Sequence, residues 1–268
     1  KNGLRNEDGT GVLVGLTKIS DVVGYKKEND KKIDTEGELY YRGVKVSDFI
    51  KGHDPKNRFL FEEAWFLILF GYLPNKDELD AFKKELSYIL NSKYLENAKK
   101  LIEILPDYFF EVPASSTGKY HPKFSLGDGG LVRHTKVAVR IAYELLSDES
   151  IGNVFTNDEK DLMLVALILH DGCKSGLTKT QYTVVNHPLI VSKLIKDNKN
   201  LLTLTEGELE FLCSCIETHM GPWNKDFKGN TVLQVPKNKY QKFVHMCDFL
   251  SSKKFLDVKF VNNEISED

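Results

Sequence analysis

The chain has 268 residues, 41% of them hydrophobic and 28% charged, enough for one large or two ordinary domains with real cores. A formal net charge of -2 and a pI near 6.4 exclude a general attraction to nucleic acid or anionic membrane, so any polyanion has to be gripped locally. Four cysteines, Cys173, Cys213, Cys215 and Cys247, have neither the density of a disulfide framework nor CxxC zinc spacing, which points to reduced thiols and a cytoplasmic protein. No signal peptide, membrane span or lipidation motif stands out; the chain opens on Lys1 rather than methionine, which leaves room for a segment removed upstream.

Residues 1–33 are rich in Gly, Lys, Asn and Asp around one alternating apolar patch, GVLVGLTKISDVVGY, a pattern of short extended pieces and turns. GELYYRGVKV, with Tyr40 and Tyr41 between Gly37 and Gly43, reads as a strand or small hairpin. FEEAWFLILF (residues 61–70) is an apolar helix closed by Gly71. Pro74 opens an amphipathic one, DELDAFKKELSYIL, with Leu79, Phe82 and Leu86 on one stripe. His53 is the only histidine in this part and reads as a solvated loop residue.

GVLVGLTKISDVVGY (residues 11–25), GELYYRG (37–43) and FEEAWFLILFGYLP (61–74) resemble the N-terminal segment of bacterial citrate synthase, a likeness that ends at about Leu90. No later residues match the histidines and aspartate with which that family binds and enolises its substrate. The resemblance therefore implies a fragment without citrate synthase activity, kept for helix packing or for making a homodimer, or a fusion remnant. The expected division is residues 1–92 and 93–268.

From about Lys93 the character changes, and six of the seven histidines fall between His121 and His245. FFEVPASSTGKYHPKFSLGDGG (residues 109–130) is a long loop, a length that more often marks function than scaffold. It leads into LVRHTKVAVRIAYELL, where His134, Ala138, Ile141 and Leu145 share one buried helical stripe. A capping box, Thr156 to Glu159, starts the next helix. Its apolar run, LMLVALIL, is far too short for a membrane span and stops abruptly at His170 and Asp171. Such a pair at a buried helix end needs compensation for lost hydration, from a partner side chain or from a divalent metal. Asn186-His187-Pro188 opens another helix, and a second capping box, Thr205 to Glu208, starts one that ends near His219. In the last long helix His245 and Asp248 lie three apart on one face, above a core stripe of Phe243, Cys247 and Leu250.

Each of these ligand types sits at a helix end or on a core-facing stripe. The order is similar to that of the HD superfamily of metal-dependent phosphohydrolases, over residues 93–260, and within it to the HD domain of bacterial 3'-to-5' exoribonucleases. Pro113-Ala114, GGLVRH (129–134), LILHDGCK (167–174), THMG (218–221) and VHMCDFLSSK (244–253) carry the likeness. It implies a mainly α fold, an HD-type helical bundle preceded by a small helical segment with a short β-strand pair. It also implies a first metal on His134, His170, Asp171 and Asp248, with His187, His219 and a bridging Asp171 matching two-metal relatives. Lys174 matches a phosphate contact or proton donor, so Asp171 and Lys174 are the expected catalytic residues. Where relatives often carry two adjacent histidines, this chain has His219-Met220, which leaves the second site one ligand short.

Mixed imidazole and carboxylate ligation favours one or two ions of Mn, Fe, Ni, Co or Zn over Mg or Ca. The expected substrate is a nucleotide or short nucleic acid, attacked in line at phosphorus by metal-activated water. The alternative is a non-catalytic nucleotide-binding or regulatory module whose citrate-synthase-like fragment serves self-association. Several residues carry two readings each. His245 is a partner behind the ligand shell or a packed core histidine. His121 and Arg133, with Lys119 and Lys123, line a phosphate entrance or form a charged loop face, and Trp223 stacks on a base or packs. Substrate choice rests on the loops 109–130 and 227–236.

Overall fold

The structure is a computed structural model, and it describes residues 19–28, 31–51, 68 and 80–267. His53, Leu79 and nearly all of the apolar segment 61–70 lie outside the described residues. The chain divides into two compact units, Lys1–Asn75 and Lys76–Asp268. It is mainly helical, and among the described residues no helix is long and apolar enough to cross a membrane.

In the first unit β1 (Ser20–Glu28), β2 (Lys31–Tyr41) and β3 (Val44–Lys45) form an antiparallel sheet in that order, followed by the short helix α1 (Val46–Lys51). The register runs from Ser20 opposite Tyr41 to Glu28 opposite Lys31, with an irregularity between Val23 and Tyr25, where Gly24 interrupts the alternation. Arg42 (φ 49°) and Gly43 (φ 86°) form the two-residue turn between β2 and β3. Positive φ at both turn residues matches the right-handed twist of the strands, which accounts for the Arg-Gly step. The expected strand pair is thus one arm of a longer ribbon.

In the second unit Asp80 is helical and α2 (Lys83–Leu86) is a single turn, so over the described residues the expected amphipathic helix is interrupted at Ala81–Phe82 and ends short of residue 90. Phe82 and Leu86 are buried as that stripe requires, but the chain leaves the helix where Asp161 takes over its backbone donors. The Asp161 carboxylate accepts from Leu90 N at 3.1 Å and from Asn91 N at 2.7 Å. Asn91 then caps α3 (Ser92–Glu103). A long irregular segment leads to α4 (Gly130–Ser147) and the short α5 (Glu149–Gly152). Then follow α6 (Asn157–Leu169), α7 (His187–Asp197), α8 (Glu206–Glu217), α9 (Lys239–Ser251) and a terminal hairpin of β4 (Phe260–Val261) and β5 (Glu264–Ile265).

α6 is the axis of the bundle: every residue of its LMLVALIL run is at most 4% exposed, and α3, α4, α8 and α9 pack around it. A helix apolar on all sides has to be surrounded, and this one is. Its N-terminus carries the Thr156–Glu159 capping box, and α8 carries the Thr205–Glu208 box. A third box, Asn238–Gln241, starts α9. Lys136, fully buried on α4, donates to Ala81 O and to Glu264 of β5 and lies 3.4 Å from Glu85 of α2, so one ammonium ties the terminal hairpin and α2 to the bundle.

Candidate metal centre

Five helices and the turns that end them deliver six side chains to a common point. His134 comes from the second turn of α4; His170 and Asp171 follow α6; His187 begins α7; His219 lies just past α8; and Asp248 comes from α9. All except Asp248 are 0 or 1% exposed, and the Asp248 side chain keeps 16%. Ligand-type atoms of His134, His170 and Asp171, of His170, His219 and Asp248, and of Asp171, His187 and His219 fall within 4.8 Å of one another, so these groups could hold metal ions.

The outer nitrogen of every one of these imidazoles is taken. Nδ1 of His170 lies 2.6 Å from Leu167 O, that of His187 2.7 Å from Val184 O, and that of His219 2.8 Å from Ile216 O. In each case the ring donates to the carbonyl three residues earlier, a closure available where a helix starts or stops. His134 Nδ1 is 3.1 Å from Ser251 Oγ, which donates its own proton to Asp248 O and so accepts from the ring. With Nδ1 carrying the hydrogen, Nε2 turns a lone pair inward in all four rings.

Those lone pairs meet oxygens. His134 Nε2 is 3.0 Å from Asp248 Oδ1, His187 Nε2 is 2.9 Å from Asp171 Oδ1, and the remaining imidazole–carboxylate separations run from 3.4 to 3.7 Å. His187 Nε2 and His219 Nε2 face each other at 3.3 Å. Electron-rich atoms crowd together without a hydrogen to share, and buried His170 Nε2 and Asp171 Oδ1 make no hydrogen bond despite these short approaches. A cation between them resolves the conflict. Ligands about 2.1 Å from a metal stand about 3.0–3.4 Å apart, close to the 2.9–3.7 Å found here. The residues therefore fit a divalent transition metal.

Ionisation agrees with that donor set at Asp171, Asp248, His134 and His187. Burial pushes the Asp171 carboxyl up, but the positive charge of Lys174 and the field of His170 outweigh it and hold it well below the usual range. Asp248 is likewise raised by burial and lowered further by His134 and His170. Burial keeps His134 and His187 neutral, against the pull of the aspartates. At His170 burial lowers the pKa, and Asp171 and Asp248 together reverse it. Neutral imidazole and ionised carboxylate are the forms that bind metal. The cysteines offer nothing comparable: all four are buried, and burial pushes the Cys173 thiol up to about 12.

Lys174 connects this buried cluster to solvent. Its ammonium lies 2.5 Å from Asp171 Oδ2, and its side chain lines an open cleft of about 640 Å³ together with Ser116, Lys179, Thr180, Gln181 and Asn263. The loop 111–129 forms the opposite wall through Val112, Pro113 and Asp128. Buried Tyr108 fastens the turn after Lys174, donating to Gly176 O and accepting from Ser175 N.

The remaining expected residues are placed as follows. The His121 ring packs edge-on against His134, centroids 5.0 Å apart, with Nδ1 buried and without a partner; burial, with His134, lowers its pKa to about 3. His245 Nδ1 lies 2.6 Å from His219 O, so it holds a cluster histidine through its backbone. Gly221 leaves room for that ring, since a Cβ there would sit 2.2 Å from His245 Cε1. Arg133 is not brought to the cluster: its guanidinium donates to Phe124 O, Leu126 O and Asn263 Oδ1, bracing the loop against the terminal hairpin. Trp223 stacks on Phe249 at 5.4 Å. Sequence reasoning missed Ser251, Tyr108 and Lys179; of these only Ser251 had a signal, one turn beyond Asp248 on the same helix face.

The family described as "Citrate synthase, C-terminal domain" matches residues 6–123, under half of the chain. No curated protein and no solved structure matches. The likeness to citrate synthase is therefore present, but it is to the part so described rather than to an N-terminal segment, and it runs beyond the expected end near Leu90. Residues 6–123 are citrate-synthase-like, and the match stops short of His134 and every other residue of the cluster.

Proposed function

We propose that the chain is a metal-dependent phosphohydrolase or phosphodiesterase of the HD kind, acting on a nucleotide or short nucleic acid. One observation carries this reading: four imidazoles, each anchored by its outer nitrogen, turn Nε2 toward two ionised aspartates beside a lysine that opens on a cleft. When bound, Mn, Fe, Ni, Co or Zn ions would act as Lewis acids toward a phosphoryl oxygen and ready water for in-line attack.

The chain's own groups do the rest. Asp171 offers Oδ2 toward His134 and His170 and Oδ1 toward His187 and His219, so one carboxylate serves both halves of the cluster. His134, His170 and Asp248 complete the first half. Lys174 Nζ neutralises charge building on the phosphate and donates a proton to the departing oxygen. The anchored Nδ1 atoms hold the rings in register.

Protein purified without chelator is expected to contain one or two transition-metal ions. Loaded with Mn or Ni, it is expected to hydrolyse bis-p-nitrophenyl phosphate and at least one of cyclic dinucleotides, dNTPs or short RNA. Absence of turnover with every metal, or turnover unchanged in Asp171→Ala, refutes the reading. The near-complete burial of the cluster favours a second reading, a nucleotide-binding module without catalysis. Ligand-dependent thermal stabilisation with no hydrolysis distinguishes it.

A further inference from the structure

Beside the cleft lies a hollow of about 490 Å³ with a different character, lined by Tyr182, Phe227 and Val232. The two share Thr180, Gln181 and Thr183, so the polar cleft that holds Lys174 and the apolar recess border the same segment. Resting on the function proposed above, we infer that this recess is the nucleobase subsite, with Phe227 and Tyr182 as its stacking residues.

Phe227 is 92% exposed, so its ring adds little to the core and is open to a ligand. Its backbone is nonetheless held tightly. Asp226 Oδ1 accepts from Lys228 N at 2.9 Å and Asn230 N at 2.8 Å, and Oδ2 accepts from Asn230 Nδ2. Asp226 N donates to Asn230 O, and Lys225 pairs with Thr231 beyond it. The Asp226 carboxylate is thereby occupied with its own turn. The fixed turn presents a solvent-exposed ring, with Lys228 Nζ 5.6 Å from its centroid, on which a flat partner can stack.

The opposite side is fastened to the proposed catalytic lysine. Thr180 Oγ1 lies 2.8 Å from Tyr182 O and 3.0 Å from Ser175 O, its one proton shared between them, Thr180 N donates to Ser175 O, and Val184 N donates to Lys174 O. One braced segment therefore carries Lys174 at one end and Tyr182, 60% exposed, near the other. Between them Gln181, which lines both spaces, offers an amide that can both donate to and accept from a base edge. A phosphate at Lys174 and a ring at Tyr182 and Phe227 match the two ends of a nucleotide.

Saturation-transfer NMR on the full chain with adenosine, which needs neither metal nor phosphate, tests the recess directly. Transfer to the base protons is expected, falling several-fold in Phe227→Ala and in Tyr182→Ala; no transfer, or transfer indifferent to both substitutions, overturns the inference. With Mn bound, the KM of thymidine 5'-p-nitrophenyl phosphate is expected to lie on the order of tenfold below that of methyl p-nitrophenyl phosphate. That ratio should fall toward one in Phe227→Ala, and equal KM values in the unsubstituted chain count against the subsite. Base contact without turnover of either ester keeps the subsite and removes the hydrolase reading.

Discussion

Gly130→Ala sets two effects of known size against each other at the base of the helix that carries His134. Alanine is better than glycine inside a helix by about 0.8–1.0 kcal/mol. A Cβ at Gly130 would, however, stand 2.3 Å from Ser125 O, 2.7 Å from Ser125 C and 3.1 Å from Pro113 Cα. These are backbone atoms with no rotamer to escape into. Ser125 O also accepts from Ala114 N, and Leu131 N donates to Val112 O, so the loop cannot withdraw without losing a bond. Overpacking costs about 1–3 kcal/mol, and contacts of 2.3 and 2.7 Å to backbone put this one in the upper half, about 2–3 kcal/mol, which leaves a net loss of about 1–2 kcal/mol. With a urea slope of about 2 kcal/mol per M, the midpoint falls by roughly 0.5–1 M.

Gly207, in the first turn of α8, has no atom within 4 Å of its would-be Cβ, so Gly207→Ala keeps only the propensity gain and should hold or raise the midpoint. Helical circular dichroism against urea reads both. His134 lies one turn beyond Gly130, so the glycine substitution should also weaken metal binding. An unchanged or higher midpoint in Gly130→Ala, or an equal drop in Gly207→Ala, refutes the close-approach argument.

Ser251→Ala removes the acceptor for His134 Nδ1 and is expected to lower metal affinity by about 10–100-fold by titration calorimetry, without shifting the helical spectrum. Glu208 sets an acid limit on stability. Burial pushes its carboxyl up, but Lys93, the Thr205 N–H and Tyr94 outweigh that and hold it at about 2. A folded pKa below the unfolded one near 4.5 contributes stability that is present above about pH 4.5 and lost as pH falls toward 2. Glu208→Gln should therefore flatten the urea midpoint against pH in that window, and an unchanged slope would contradict the assignment.

How far residue order predicts position depends on whether the forces are local. LMLVALIL declares a surrounded helix because no face of it is polar, and the two Thr-to-Glu capping boxes declare their helices because cap and partner lie three residues apart. The six cluster residues were legible as ligand types at helix ends. The Nδ1 anchoring of His170, His187 and His219 is also local, a ring closing on the carbonyl three residues before it, whereas His134 is anchored by distant Ser251. What escaped is long-range. The stripe through Phe82 and Leu86 predicts a long helix, and nothing near it in sequence shows that Asp161 takes the donors of Leu90 and Asn91. Arg133 sits beside His134 in sequence, yet the carbonyls of Phe124 and Leu126 claim it.

The citrate-synthase-like match and the compact units have different ends, and the difference has a physical consequence. The match ends at residue 123, whereas the second compact unit begins at Lys76. Between them lie Tyr94, Ala98, Leu101, Ile102, Leu105, Tyr108 and Phe109, all buried in the second unit. At about 1.5–3 kcal/mol for each large apolar side chain, their burial contributes on the order of 10 kcal/mol, comparable to the whole stability of an ordinary domain. The unit that carries the candidate metal centre therefore depends on a segment inside the citrate-synthase-like match. Residues 76–268 expressed alone should unfold cooperatively in urea and bind metal as the full chain does. Residues 124–268 keep all six ligands, yet should show no cooperative transition and bind metal weakly. A cooperative, metal-binding 124–268 fragment would show that the ligands assemble without α3, and that the core drawn around α6 is larger than the site needs.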